Sequence, residues 1–76
     1  MGAPAQGGPR AAARTSLGYE RAQAKMDLER AQRRLLDALT HVRAGEYAWA
    51  HDAIGEASNA VGSGRYHLRE ALERVR

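Results

Sequence analysis

Residues 46–75 read EYAWAHDAIGEASNAVGSGRYHLREALERV, and apolar or small side chains recur in this stretch at alternating steps of three and four residues. This spacing is typical of one face of an α-helix that packs in coiled-coil fashion. It therefore predicts a long helix over residues 46–75. The members of this seam are Tyr47, Ala50, Ile54, Ala57, Val61, Gly64, Leu68, Ala71 and Val75.

Gly62-Ser63-Gly64 lies in the middle of the seam and leaves two interpretations open. Glycine is a poor helix former and Ser63 is a candidate N-cap, so one interpretation breaks the helix at 62–64 and begins a third short helix there. A loop, however, has no physical reason to preserve the heptad phase. That argument favours one continuous helix.

A first helix is predicted over about residues 16–43. Thr15 and Ser16 are candidate N-caps, Glu20 lies near the first turn where the helix dipole favours an acid, and Gly45 marks the end. Its own seam is Leu17, Arg21, Ala24, Leu28, Ala31, Leu35, Ala38 and Val42, with Leu39 widening it.

The two seams predict an all-α fold, an antiparallel helical hairpin that is coiled-coil-like. Folding the chain about Glu46 places large side chains opposite small ones along the hairpin, and in particular Leu28 opposite Gly64. A register centred nearer Ala44 is the alternative. The expected layers are Val42 with Ala50, Ala38 with Ile54, Leu35 with Ala57, Ala31 with Val61, Leu28 with Gly64, Ala24 with Leu68 and Leu17 with Val75.

Residues 1–14, MGAPAQGGPRAAAR, contain both prolines, and we expect them to form a flexible N-terminal arm ahead of the hairpin domain at 15–76. The chain has twelve basic and nine acidic residues. Because Arg10 and Arg14 are the only charged residues of the arm, the remainder carries ten basic and nine acidic side chains and is nearly neutral.

The composition excludes several classes of protein. The chain has no cysteine, which removes disulfides and thiolate chemistry, and it has no apolar run of the about 20 residues that a membrane span needs. We expect a cytoplasmic protein without membrane contact, small-molecule substrate or cofactor.

No catalytic or metal-binding pattern is predicted. Ser58 and Ser63 lie in no nucleophile motif, and acids and bases such as Glu29 and Arg33 have the spacing of solvent-side helix pairs. His41 and His51 flank the turn, but nothing supplies a third ligand. We therefore expect solvated histidines, no metal site and no enzyme.

The segment Gly45-Glu46-Tyr47-Ala48-Trp49-Ala50, continued by Ile54 and Ala57, resembles the middle of a tetratricopeptide repeat. Arg34 and His41 stand where that repeat has its first-helix tryptophan and tyrosine, and no second copy follows. We interpret the resemblance as a shared way of packing two helices.

The predicted function is protein–protein interaction, either self-association or docking on a larger assembly as a small adaptor, assembly subunit or inhibitor. A thin hairpin leaves bulky residues off its seam, and such residues are candidate contacts. The candidates are Trp49, Leu36, Tyr19, Met26 and Tyr66.

The alternative is a nucleic-acid-binding accessory protein, in which arginines at the open end of the hairpin contact phosphates. The arginines of this alternative are Arg10, Arg14, Arg69, Arg74 and Arg76.

Overall fold

A computed structural model of the protein describes residues 16–76, and these form two helices, α1 at Leu17–Arg43 and α2 at Tyr47–Val75. His41 near the end of α1 stacks on Trp49 near the start of α2, whereas Glu20 near the start of α1 contacts His67 near the end of α2. The helices are therefore antiparallel. The prediction of an all-α helical hairpin is confirmed. The predicted arm, with Arg10 and Arg14, lies outside the described residues.

Side-chain and backbone caps fix both ends of α1. The Ser16 hydroxyl accepts a 3.0 Å hydrogen bond from the Tyr19 N–H, which satisfies one of the unpaired donors of the first turn. At the other end Gly45 adopts a positive φ of 75°. The Glu46 N–H donates to the His41 carbonyl and the Gly45 N–H to the Val42 carbonyl, which together form a Schellman motif. The chain reverses within this short turn.

The helix α2 continues without interruption through Gly62-Ser63-Gly64. The alternative of a break and a third short helix is wrong. The space around each glycine explains why one of the two is a glycine. A Cβ added at Gly64 would meet the side chains of Asp27 and Leu28 on α1, at 3.4 and 3.5 Å. A Cβ added at Gly62 would meet nothing within 4 Å. Gly64 is thus a position of close approach between the helices.

The contact of Gly64 with Leu28 is the one that a hairpin folded about Glu46 predicts. Two polar contacts across the helices, Ser63 with Asp27 and Arg34 with Glu56, centre the reversal one residue earlier, at Gly45. The predicted layer of Leu28 with Gly64 is confirmed.

Small residues form the fully buried part of the apolar interface. Every buried apolar side chain in residues 16–76 is an alanine, and Gly64 continues their line on α2. Because small side chains let two helices approach closely, this line excludes bulkier neighbours from the space between the axes. The buried alanines are Ala24, Ala31, Ala38, Ala50, Ala53, Ala57 and Ala60.

The large members of the predicted seams are only partly enclosed between the helices. Leu35 and Ile54, for example, keep 49% and 48% of their surface exposed. Two helices cover only a narrow strip, and the alanines occupy it. The large residues lie beside that strip.

Candidate interaction surface

The large aliphatic residues of both helices line one side of the alanine interface, and we call this surface the apolar face. Each keeps between 42% and 62% of its surface exposed. Spacings of three, four and seven residues keep each row on one side of its helix. A shared groove shows that the two rows border the same side of the hairpin, since Leu17 and Leu28 line it from α1 and Leu68 from α2. The apolar face consists of Leu17, Leu28, Leu35, Leu39, Val42, Ile54, Val61, Leu68, Leu72 and Val75.

The groove has a volume of about 740 Å³ and lies towards the open end of the hairpin. It forms where the aliphatic row of α1 is interrupted between Leu17 and Leu28, because Ala24 in that interval is too small to fill the space. Ala71 provides the α2 part of the floor, and Arg21 lines the rim. The groove is thus a gap in an otherwise continuous row of large side chains.

Basic side chains border the apolar face on both helices. Each lies four residues after or three residues before an aliphatic member of the face, which places it on the outer flank of the same side. Six of the ten basic residues in 16–76 have this spacing; of the nine acidic residues, Glu46 at the turn has it and Glu29 lines the groove. The six are Arg21, Lys25, Arg43, Arg65, Arg69 and Arg76.

Glu29 is already neutralised on this flank. The Lys25 Nζ donates a 2.6 Å hydrogen bond to Glu29 Oε2. That hydrogen bond and the charge of Lys25, with a smaller contribution from Arg33, hold the pKa of Glu29 below its ordinary value. The flanks therefore present net positive charge to whatever covers the apolar face.

The opposite side of the hairpin, which we call the polar face, is closed by contacts between the helices. Four α1 residues spaced seven apart each meet a residue of α2 there. The contacts are Glu20 with His67 at 2.6 Å, Asp27 with Ser63 at 2.7 Å, Arg34 with Glu56 at 2.9 Å, and the stacked rings of His41 and Trp49. Polar groups on this face are thus engaged within the hairpin.

A buried polar cluster lies in the middle of these contacts. The side chains of Glu20 and Asp27 are only 5% and 8% exposed, and His67 lies between them with Nδ1 2.6 Å from Glu20 Oε1 and Nε2 4.0 Å from Asp27 Oδ2. Asp27 also accepts hydrogen bonds from Ser63 and Arg30. No buried side-chain nitrogen or oxygen of residues 16–76 lacks a hydrogen-bond partner. The cluster joins the two helices through satisfied groups.

The cluster does not have the geometry of a nucleophilic triad. Such a triad needs the serine hydroxyl bonded to a histidine, which accepts its proton. Here the Ser63 hydroxyl donates to the Asp27 carboxylate, and His67 is bonded to Glu20 instead. The arrangement holds two helices together.

The histidines differ from one another. His51 is exposed beside Asp52, but His41 is half-buried against Trp49 and Glu46, and the side chain of His67 is only 15% exposed. The expectation of solvated histidines is therefore wrong for His67. In residues 16–76 no group of three or more histidine or carboxylate side chains is arranged to hold a metal ion.

All five predicted contact residues are exposed, but they do not form one surface. Tyr19 and Tyr66 both lie edge-on to His67, and Trp49 stacks on His41 near the turn. Met26 borders a separate polar groove on α1, and Leu36 is 57% exposed. The structure brings together the aliphatic seam residues instead, which the sequence had placed in the core.

Of the arginines in the nucleic-acid alternative, Arg69 is exposed, Arg74 pairs with Glu70 at 3.6 Å and Arg76 with Glu73 at 3.5 Å. Arg10 and Arg14 lie outside the described residues.

Sequence reasoning missed the buried cluster. In the sequence, Glu20 fits a helix-dipole partner and His67 a solvated histidine, because neither position belongs to the apolar seams. The available signal was the seven-residue spacing of Glu20, Asp27, Arg34 and His41.

Comparison of the chain with protein families, curated proteins and solved structures finds no match. Neither helix of residues 16–76 combines the length and apolarity that crossing a membrane requires.

Proposed function

We propose that this chain is a non-catalytic protein-interaction module that works through its apolar face, as a small adaptor, assembly subunit or inhibitor of a larger assembly. One observation carries the proposal: ten large aliphatic side chains, each at least 42% exposed, lie on the same side of a two-helix hairpin. An apolar surface of this continuity is typical of a binding site.

The energetics support the same function. Burial of an aliphatic side chain contributes about 1.5–3 kcal/mol, so a half-exposed leucine such as Leu35 or Leu68 still gains on the order of 1 kcal/mol when a partner covers it. The hairpin itself buries only alanines among its apolar residues. A bound partner would thus cover the large aliphatic side chains that the hairpin leaves half-exposed.

Two features support a non-catalytic role. The groove between Leu17 and Leu28 is open, with leucines and alanines at its centre and charged residues at its rim, and the buried carboxylates are bonded to His67 and Ser63. A catalytic site instead needs polar groups directed at a substrate.

The test is affinity capture from the cells that produce the protein, using the full chain as bait. Leu68→Glu places a charge in the middle of the apolar face, whereas Met26→Glu makes the same kind of change at an exposed position of α1 away from it. We expect wild type and Met26→Glu to retain a partner that Leu68→Glu loses, with equal helicity by circular dichroism. Equal capture by all three would contradict the proposal.

A further inference from the structure

The charge of the hairpin is divided between its two sides, and this division identifies what covers the apolar face. Six of the ten basic residues of 16–76 flank that face with two acids, Glu29 and Glu46, so the rest of the hairpin holds four basic and seven acidic residues. This inference rests on the proposed function, because it concerns the partner of the same surface.

A second copy of the chain is a poor occupant for electrostatic reasons. Pairing two apolar faces would bring the flanks of one copy, with Arg21 and Arg65, against the equally basic flanks of the other. Like charges placed opposite each other across an interface disfavour the complex. An occupant with acidic flanks would meet opposite charges along both edges.

The shape of the groove also restricts the occupant. The groove lies between Leu17 and Leu28 with small residues as its floor, and its volume of about 740 Å³ accepts large side chains that project from a partner. Side chains at helical spacing fill such gaps when a third helix packs against two others. A bilayer presents no fixed side chain that would fill such a gap.

We propose that the apolar face binds an amphipathic α-helix of another protein, whose apolar stripe is flanked by acidic residues and inserts large apolar side chains between Leu17 and Leu28. Arg21 and Lys25 at the rim of the groove then face the acidic flank.

The probes are two designed three-heptad peptides with the same leucine stripe, one with glutamate and one with lysine at every flanking position. Fluorescence anisotropy with the full chain measures both affinities at low and high salt. We expect the glutamate peptide to bind about tenfold more tightly at low salt, since several exposed ion pairs add to the same apolar contact. The preference should shrink at high salt.

A matched pair of variants locates the charge effect. Arg21→Glu reverses a charge at the groove, whereas Arg33→Glu reverses one beside Met26 and Arg30 on another side of α1. Arg21→Glu should weaken the glutamate peptide about fivefold, and Arg33→Glu should have little effect.

Equal affinity for the two peptides, or no binding of either, would overturn this inference. So would a dimeric mass in sedimentation equilibrium that Leu68→Glu abolishes, or preferential binding of anionic vesicles or of DNA. If partner capture still depends on Leu68 in those cases, the proposed function stands without this inference. If capture does not depend on Leu68, the proposed function and this inference both fail.

Discussion

The Ser63 hydroxyl donates a 2.7 Å hydrogen bond to the Asp27 carboxylate, joining two residues that lie 36 positions apart in the chain. Ser63 stands between two glycines in the middle of α2, where a serine would otherwise compete with the helical backbone for hydrogen bonds. Its side chain is instead held by the opposite helix. This contact accounts for the serine in a segment that resembles a helix break.

The first prediction concerns the strength of this contact. A hydrogen bond to a charged acceptor contributes about 1.5–3 kcal/mol, and alanine is the better helix former by about 0.5 kcal/mol. We therefore expect Ser63→Ala to lower the free energy of unfolding by about 1 kcal/mol in urea denaturation. Ser58→Ala, at an exposed position of the same helix, should raise it slightly. Similar changes in the two variants would show that the contact with Asp27 adds nothing.

The second prediction separates the two glycines beside Ser63. A Cβ at Gly62 meets nothing within 4 Å, so Gly62→Ala should raise the free energy of unfolding by about 1 kcal/mol through helix propensity alone. A Cβ at Gly64 just reaches Asp27 and Leu28, so Gly64→Ala should gain less, and Gly64→Leu should be destabilising. Thermal unfolding by circular dichroism measures all three. A stable Gly64→Leu variant would contradict the close approach of the helices.

Much of the fold follows from local and periodic signals. The Ser16 cap, the reversal at Gly45 and the opposition of Leu28 to Gly64 each depend on residue types whose conformational or steric requirements are strong. An antiparallel pair of helices with one reversal point has few registers, so a single small residue opposite a large one is enough to choose among them.

The position of the large residues was not predictable in the same way. A heptad repeat gives the spacing of a stripe but not which of its two edges faces the partner helix. On α2 the row of Ala50 and Ala57 also has Ala53 and Ala60 on its other side, and packing on that side excludes Ile54. Contacts of Glu20 with His67 and of Asp27 with Ser63 determine which edge of each stripe faces the partner helix. These contacts form only in the folded hairpin, so the local sequence does not indicate them.

The third prediction concerns the turn. Gly45 has a φ of 75°, a conformation that costs an L-residue about 1 kcal/mol, although a Cβ there would meet nothing within 4 Å. Gly45→Ala should therefore lower the free energy of unfolding by about 1 kcal/mol through the backbone alone. Gly55→Ala, in α2 and equally free of neighbours, should raise it by a similar amount. Equal effects of the two substitutions in urea denaturation would be inconsistent with the left-handed turn.

The fourth prediction follows from the pKa of Glu29, which the Lys25 hydrogen bond lowers in the folded protein. A carboxylate with a lowered folded-state pKa stabilises the fold above its unfolded-state pKa, and that contribution is lost as the pH falls through the folded-state value. The pair is exposed, so we expect the effect on stability to be small and the pKa to be the better readout. Titration of the Glu29 carboxyl carbon by NMR should show its pKa rising in Lys25→Gln, and rising less in Arg33→Gln because Arg33 acts only through its more distant charge. A larger rise in Arg33→Gln would mean that charge along the helix, rather than the Lys25 hydrogen bond, sets the ionisation of Glu29.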